Sequence, residues 1–385
     1  MGVKRNRVIH LVPLAAAVLL AQIGAVNAEA EVLALVGGTV VDTGDWGQST
    51  VDIEDAVVIV EDGEIAEVGR RSSTAVPAEA RVIDASGKFI VPGLVDGFAA
   101  INNQAYANAY LASGVTSIIS VDGGRRGGLF LDADPGPRIH RLDSVGYERA
   151  TLEEHLEATD RLAEAGVEIL LLMYKLPPDQ LQVLAERARS HGMGTIGELG
   201  LSSYSQGIEA GLNAFVHTTR YSLDMAPEEM ARAVVEQPFS DDLDSPKWIY
   251  YKWLSGLSPF DERLESHAQV LASDSIALMP TLALLYLDQP WAKNPWDEPV
   301  AGLLDPEDIN RPANRETGRH EGDVSHQVAY AALARSELIL EEAFRRAGAR
   351  YLAGSGTDVW GTMPGISLHS ELESLVRLGL TPREA

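Results

Sequence analysis

Seven polar side chains stand at or just beyond the C-terminal ends of apolar runs: Asp96, Asp122, Lys175, Glu198, His217, Thr281 and Asp358. Lys175, for example, closes the stretch Ile169-Leu170-Leu171-Leu172-Met173. If such runs are the strands of a closed parallel sheet, their ends converge on one mouth. Polar groups buried there without partners cost several kcal/mol each, so their gathering implies mutual pairing or a bound cation. The chain has no cysteine. Thiolate metal sites and cysteine nucleophiles are therefore excluded, and any metal must rest on histidine, carboxylate or a modified lysine.

The elements that must position these residues are legible as a repeat. Apolar runs at 89–96, 115–121, 137–145, 167–175, 193–198, 213–217, 276–281 and 351–358 alternate with amphipathic stretches such as 152–165, 178–189 and 328–347. Eight buried strands, each followed by a covering helix, predict an α/β fold closed as a (β/α)8 TIM-like barrel. A doubly wound open sheet is the competitor. No glycine-rich phosphate loop follows the first strand, and Gly123-Gly124 and Gly127-Gly128 match no nucleotide fingerprint.

Before the barrel, short Val- and Ile-rich runs at 32–41, 56–60, 64–68 and 81–84 predict a small β domain, with Asp62-Gly63 as a hairpin turn. It lacks evident partners to close its sheet, so later chain should complete it. Two long segments, 221–260 and 285–325, interrupt the alternation and carry Trp248, Trp253, Trp291 and Trp296. They are either loops at the substrate mouth or segments whose aromatics anchor them to the rim.

Residues 1–28 have Lys4, Arg5 and Arg7, then an apolar run broken by Pro13 and Gln22, then Val26-Asn27-Ala28. This reads as a secretory signal rather than a retained anchor, and predicts an exported protein, periplasmic or extracellular. The net charge is -25, and loss of those three cations with no acid takes it to -28. Nucleic acid and, after signal cleavage, anionic membrane are therefore unsuitable partners, whereas a small-molecule substrate is expected and a homo-oligomer is left open.

The run Ile90-Val91-Pro92-Gly93-Leu94-Val95-Asp96 resembles the first barrel strand of the amidohydrolase superfamily, near its imidazolonepropionase-like and prolidase-like branch. Gly114-Val115-Thr116, Gly136-Pro137-Arg138, Gly211 to His217, Pro280-Thr281-Leu282 and Gly356-Thr357-Asp358 continue the likeness in order. With the signal read at 1–28, the resemblance implies domains at 32–88 (a partial β-sandwich) and 89–385 (barrel with insertions 221–260 and 285–325). In relatives the chain continues beyond the last barrel helix into strands that return to the β domain. That implies a sandwich left incomplete by C-terminal truncation.

The resemblance also implies roles. Lys175 matches a lysine that relatives carbamylate to bridge two metals, His217 a sixth-strand ligand, and Asp358 an eighth-strand ligand and general base. The first-strand His-x-His is replaced by Phe98 and Ala100, and the fifth-strand histidine aligns with Glu198. Too few ligands remain for a binuclear centre. Glu198, His217 and Asp358 could hold one divalent ion, zinc by preference, with water in the fourth position. Lys175 would be a further ligand if modified; as an amine it would pair with Glu198 or Asp358. Ordinary readings stay open: a surface lysine, a core histidine, a turn-capping Asp358, a Glu198 that balances Lys175. His155, His191 and His267 fall on helices and are expected to face solvent.

Two functions follow. The first is hydrolysis of a C–N bond other than an ordinary peptide bond, in a cyclic amide or small dipeptide, with at most one divalent metal and with Asp358 and Lys175 as catalytic groups. The second is a non-catalytic barrel that binds a small ligand or partner at its mouth.

Overall fold

A computed structural model describes residues 32–385 except 122–128, 219–222, 238–241, 274, 306, 308, 310–313, 319–323, 358 and 360; side chains of 324–327 are also outside it. The expected signal at 1–28, Asp122 and Asp358 thus lie outside the described residues. Two compact units are present, one of 32–42 and 50–91, the other of 43–49 and 92–385.

The first unit is one mixed sheet of five strands: β1 (Val32–Val40), β2 (Ile53–Glu61), β3 (Glu64–Arg70), β4 (Arg81–Asp84) and β5 (Phe89–Ile90). Its order is β3-β2-β1-β4, with β5 also on β1; β2 runs antiparallel to β1, whereas β4 and β5 run parallel to it. The β2–β3 turn places Asp62 at φ 52° and Gly63 at φ 82°, the left-handed pair that a two-residue hairpin demands. Ala34, Val36, Val57 and Ile59 form its core on alternate positions.

The second unit is the barrel. Its strands are β6 (Leu94–Ala99), β7 (Val115–Val121), β8 (Arg138–Val145), β9 (Ile169–Leu172), β10 (Gly194–Gly197), β11 (Ala214–Val216) and β12 (Ala277–Met279). They pair in parallel and in sequence order. Residues 350–356 take the eighth position. Leu278 N–H donates to Arg350 and Leu352 N–H to Leu278, each at 2.8 Å; on the other side Gly97 N–H donates to Ala353 at 2.9 Å and Gly356 N–H to Phe98 at 2.8 Å. The ring closes through this segment, which pairs too briefly to count as a strand. The expected first strand at 89–96 is divided at Pro92, which has no N–H to give a ladder, so Phe89–Ile90 joins the small sheet and Leu94 begins the barrel.

The covering helices are α1 (Gln104–Ala112), α2 (Leu152–Glu164), α3 (Pro178–Ser190), α4 (Tyr204–Glu209), α5 (Glu228–Glu236), α6 (Pro246–Leu254), α7 (Glu262–Leu271), α8 (Val324–Ala347) and α9 (Ile366–Arg377). Local signals start them: a reciprocal Thr151/Glu154 capping box opens α2, and Pro178 sits in the first turn of α3. Strand β9 shows how the layers divide. Leu170 and Leu172 point out, into a core with Leu181, Leu184 and Ala188 of α3, while Leu171 points in.

The insertions are more structured than loops. Segment 221–260 contains α5 and α6, and short 3-10 turns at Leu282–Asp288, Pro295–Asp297 and Pro299–Leu303 occupy much of 285–325. Trp248 is buried between Tyr251 and Tyr330, and Trp253 stacks on Tyr250. Trp291 and Trp296 lie under the guanidinium groups of Arg377 and Arg315, both at 4.8 Å. These contacts favour the anchoring role. Two histidine expectations need correction: His155 is buried and bonds Gln180 at 2.9 Å, and His267 is buried on the Leu264–Leu271 stripe of α7, edge-on to Phe344. Only His191 of the three is turned outward, paired with Asp160 at 2.7 Å.

Candidate functional site at the barrel mouth

The barrel lumen is apolar. Leu142, Leu171, Met173, Ile196, Ala214, Val216, Ala277 and Met279 form one buried cluster, with Phe98, Ile119 and Val121 packed against it. All seven strands or their immediate ends contribute, so this cluster is the filling of the ring. Phe98 stands where relatives were expected to place a metal ligand, and it lies in that filling.

Over the cluster sit His217 and Thr281, one and two residues past β11 and β12. Both are buried and both adopt left-handed backbone, at φ 56° and 54°. Such geometry in residues other than glycine costs about 1–2 kcal/mol and persists only where the surroundings impose it. The imposing contacts are visible. His217 N–H donates to Met279 at 3.0 Å, the Tyr204 hydroxyl donates to the His217 carbonyl at 3.4 Å, and Nδ1 shares a hydrogen bond with Thr281 Oγ1. Phe98 meets the His217 ring edge-on, with centroids 5.4 Å apart at 77°. The imidazole is thereby fixed in orientation.

Glu198 follows β10 and is buried, its N–H donating to Leu172 at 2.9 Å. Lys175 turns elsewhere. Its N–H donates to Gly146 at 3.1 Å, and its ammonium pairs with Glu148 at 2.8 Å and lies 5.6 Å from the Tyr147 ring. Glu148, in the loop after β8, thus takes the place expected for Glu198 or Asp358 as partner of the amine. Tyr174 meets Tyr147 edge-on at 5.6 Å, making an aromatic and cationic corner at the ends of β8 and β9.

Asp96 does not reach the mouth. Its Oδ1 accepts from Ser355 N–H at 2.8 Å and Phe98 N–H at 3.3 Å, joining β6 to the eighth segment, and its buried Oδ2 makes no hydrogen bond among the described residues. Burial raises its carboxyl to about 6, against the pull of the Ser355 and Phe98 hydrogen bonds. Of the seven polar positions the structure therefore joins His217 to Thr281, sends Lys175 to Glu148, and assigns Asp96 to ring closure.

Among the described residues no three His, Asp or Glu side chains gather closely enough to hold a metal ion. Phe98 lies in the filling and no third described ligand gathers with Glu198 and His217, so the described residues do not by themselves complete a site for the divalent cation that the resemblance implies. The Thr281 bond at Nδ1 leaves Nε2 as the nitrogen of His217 that could coordinate.

The sequence reading passed over a second polar set behind the barrel wall. Glu337 and Glu341 on α8 and Glu371 on α9 are essentially without exposure. Glu341 accepts from the Thr218 hydroxyl and, at 2.9 Å, from the Tyr351 hydroxyl; Glu371 Oε2 accepts from Ala283 N–H at 2.7 Å. The signal was present: both α8 glutamates fall on the buried stripe Leu333, Ala334, Leu340 and Phe344 at helical spacing.

No protein-family model matches the chain. A dihydroorotase of Trichlorobacter lovleyi is 42% identical over 64 residues, which are 17% of this chain and 13% of that enzyme. The bottromycin amidohydrolase structure is similar with TM-score 0.59 at 16% identity, covering 92% of this chain and 75% of that one. A prolidase complexed with N-methylphosphonate-L-proline gives 0.55 at 14%, covering 92% and 84%. The ochratoxinase of A. niger gives 0.54 at 15%, covering 92% and 82%. With a parallel barrel, a separate N-terminal sheet and these neighbours over nine-tenths of its length, the chain has the fold of the amidohydrolase superfamily.

Proposed function

We propose that this chain is a ligand-binding member of the hydrolase lineage, taking a small molecule at the barrel mouth without the metal-assisted reaction of its relatives. One observation carries the reading: His217 and Thr281 are held in strained, hydrogen-bonded positions at adjacent strand ends, directly over a lumen filled by apolar side chains. Strained residues at a barrel's C-terminal face are a recurring mark of sites. A fixed imidazole offers a directed hydrogen bond to the polar end of a ligand, while Phe98 and Tyr147 offer apolar faces. The signal-like residues 1–28 support export to the periplasm or beyond, where a small molecule would be met.

A second reading is favoured by the burial of Glu198 and His217 at successive strand ends. It is hydrolysis of a C–N bond, in a cyclic amide or a proline-containing dipeptide, with one divalent cation. Its third ligand would be Asp358.

Protein purified without chelators, analysed for metals and incubated with glycyl-proline and with dihydrouracil, separates the two. The binding reading expects no stoichiometric metal, no hydrolysis, and a rise in melting temperature with at least one probe that Thr281→Val abolishes. About one equivalent of divalent metal with hydrolysis, both lost in His217→Ala, establishes the second reading instead. The absence of both binding and hydrolysis overturns the mouth as a site for this class of ligand.

A further inference from the structure

The carboxyl groups behind the barrel wall make an arrangement that the mouth does not use. Asp96 on β6, Glu337 and Glu341 on α8, and Glu371 on α9 are all buried to within 1% of full enclosure. Three of them tie separate elements together. Glu341 links α8 to Thr218 beyond β11 and to Tyr351 of the eighth segment, Glu371 links α9 to Ala283 beyond β12, and Asp96 links β6 to Ser355. The 3-10 turn Leu282–Asp288 packs on both α8 and α9, completing the seam.

The charge that bears on this seam from within is negative. Glu337 acts on both Glu341 and Glu371, and Asp96 and Glu341 act on Glu371 as well. The buried Oε1 of Glu371 and Oδ2 of Asp96 make no hydrogen bond among the described residues. Around the seam, Tyr351 and, from α4, Tyr204 feel the charge of Glu341; Arg345, one turn along α8, acts on Tyr351. From α7, His267 pairs with Asp224 at 3.6 Å, and on α9 Glu373 pairs with Arg377 at 2.7 Å. His217, next to Thr218, engages Thr281. An ionised carboxylate whose oxygen has no donor, deep in a packed wall beside other carboxylates, is far costlier than a neutral carboxyl there.

We propose that Asp96, Glu341 and Glu371, with Glu337 beside them, form a pH-sensitive latch, which holds α8, α9 and the eighth segment to the barrel wall while those three are protonated and loosens them as they ionise. The latch stands independently of the ligand reading. Burial, the largest cause in each case, raises Glu341 to about 8 and Asp96 to about 6, and pushes Glu371 well above the usual carboxylate range. The direction follows from proton linkage. The unfolded chain ionises these groups from about pH 4, while the folded chain keeps its protons longer, so stability falls as pH rises through the interval up to about 8.

Thermal unfolding of the full chain at constant ionic strength, from pH 5 to pH 8.5, tests this in wild type, Glu371→Gln and Glu341→Gln. Each carboxyl that loses its proton lowers the folded-to-unfolded ratio by up to about tenfold per pH unit. Both variants should flatten the wild-type decline, because glutamine keeps the size and cannot ionise. The two substitutions leave every other titrating group in place, so the comparison of slopes is the decisive reading. A pH-independent wild type, or variants with the wild-type slope, overturns the latch. If the variants do not fold, hydrogen exchange on wild type at pH 5.5 and 8.5, corrected for intrinsic rates, gives the answer. Protection lost from α8 and α9 ahead of α2 and α3 supports the latch, and uniform or unchanged protection overturns it.

Discussion

The inside of the barrel and the seam behind its wall distribute polarity in opposite ways. A row of strands ending in Asp96, Glu198, His217 and Thr281 invites a polar mouth over a polar lumen, yet the lumen is filled by Leu142, Leu171, Ile196 and Met279. The seam lies under helices whose sequence reads as ordinary amphipathic cover, and it encloses four carboxyl groups. Side chains at strand ends can turn away from the axis, as Lys175 does towards Glu148, whereas a side chain on a helix stripe goes wherever packing takes that stripe.

Changes that reverse this polarity should have the largest effects. Leu171→Asp places a carboxylate in the lumen, and chemical denaturation should show a loss of about 4 kcal/mol or more, or no folded protein. A destabilisation below about 1 kcal/mol would mean that the lumen admits water. Tyr351→Phe comes next. It removes the hydroxyl that donates to Glu341, and leaving that buried carboxyl short of a partner should cost about 1–3 kcal/mol at pH 7. Thr281→Val, similar in shape, deletes the bond to His217 and should cost about 1 kcal/mol by the same assay, with a larger relative loss in binding of any mouth ligand. Lys175→Ala should be the mildest. Its partner Glu148 is largely exposed, so the pair is screened, and the change in stability should stay under about 0.5 kcal/mol and shrink further in salt. A clearly larger effect would give Lys175 a structural part at the mouth.

Much of the barrel is written locally. The strand at Val115–Val121 has the bounds that its Val/Ile run predicts, and α2 and α3 begin where the Thr151/Glu154 box and Pro178 place them. The order of strands follows from alternation alone, since parallel neighbours joined through helices have few arrangements. What failed to show was decided at long range. Pro92 divides one apolar run between two sheets, and the eighth segment pairs through two backbone hydrogen bonds on each side. His155 and His267 are polar by type and sit on buried stripes all the same.

The site was legible as a list of residues and not as a constellation. The turn of each side chain at a strand end depends on backbone angles, and the left-handed conformations of His217 and Thr281 leave no trace in composition. Lys175 illustrates the same limit: its partner Glu148 comes from the neighbouring loop, a choice set by the geometry of the β8 and β9 exits. Glu337 and Glu341 could have been found by asking which charged residues interrupt an apolar stripe.

On the binding reading, His217 is held by Thr281 above an apolar lumen and neither of its ring nitrogens coordinates a metal ion. Side-chain 15N NMR of His217 during titration with zinc tests that directly. The ring nitrogens should keep their shifts and the Nδ1 hydrogen-bond signature through one equivalent of zinc, with any change confined to exposed histidines such as His191. A stoichiometric shift of a His217 nitrogen to the metal-bound range, with the Thr281 bond kept or lost, would contradict it.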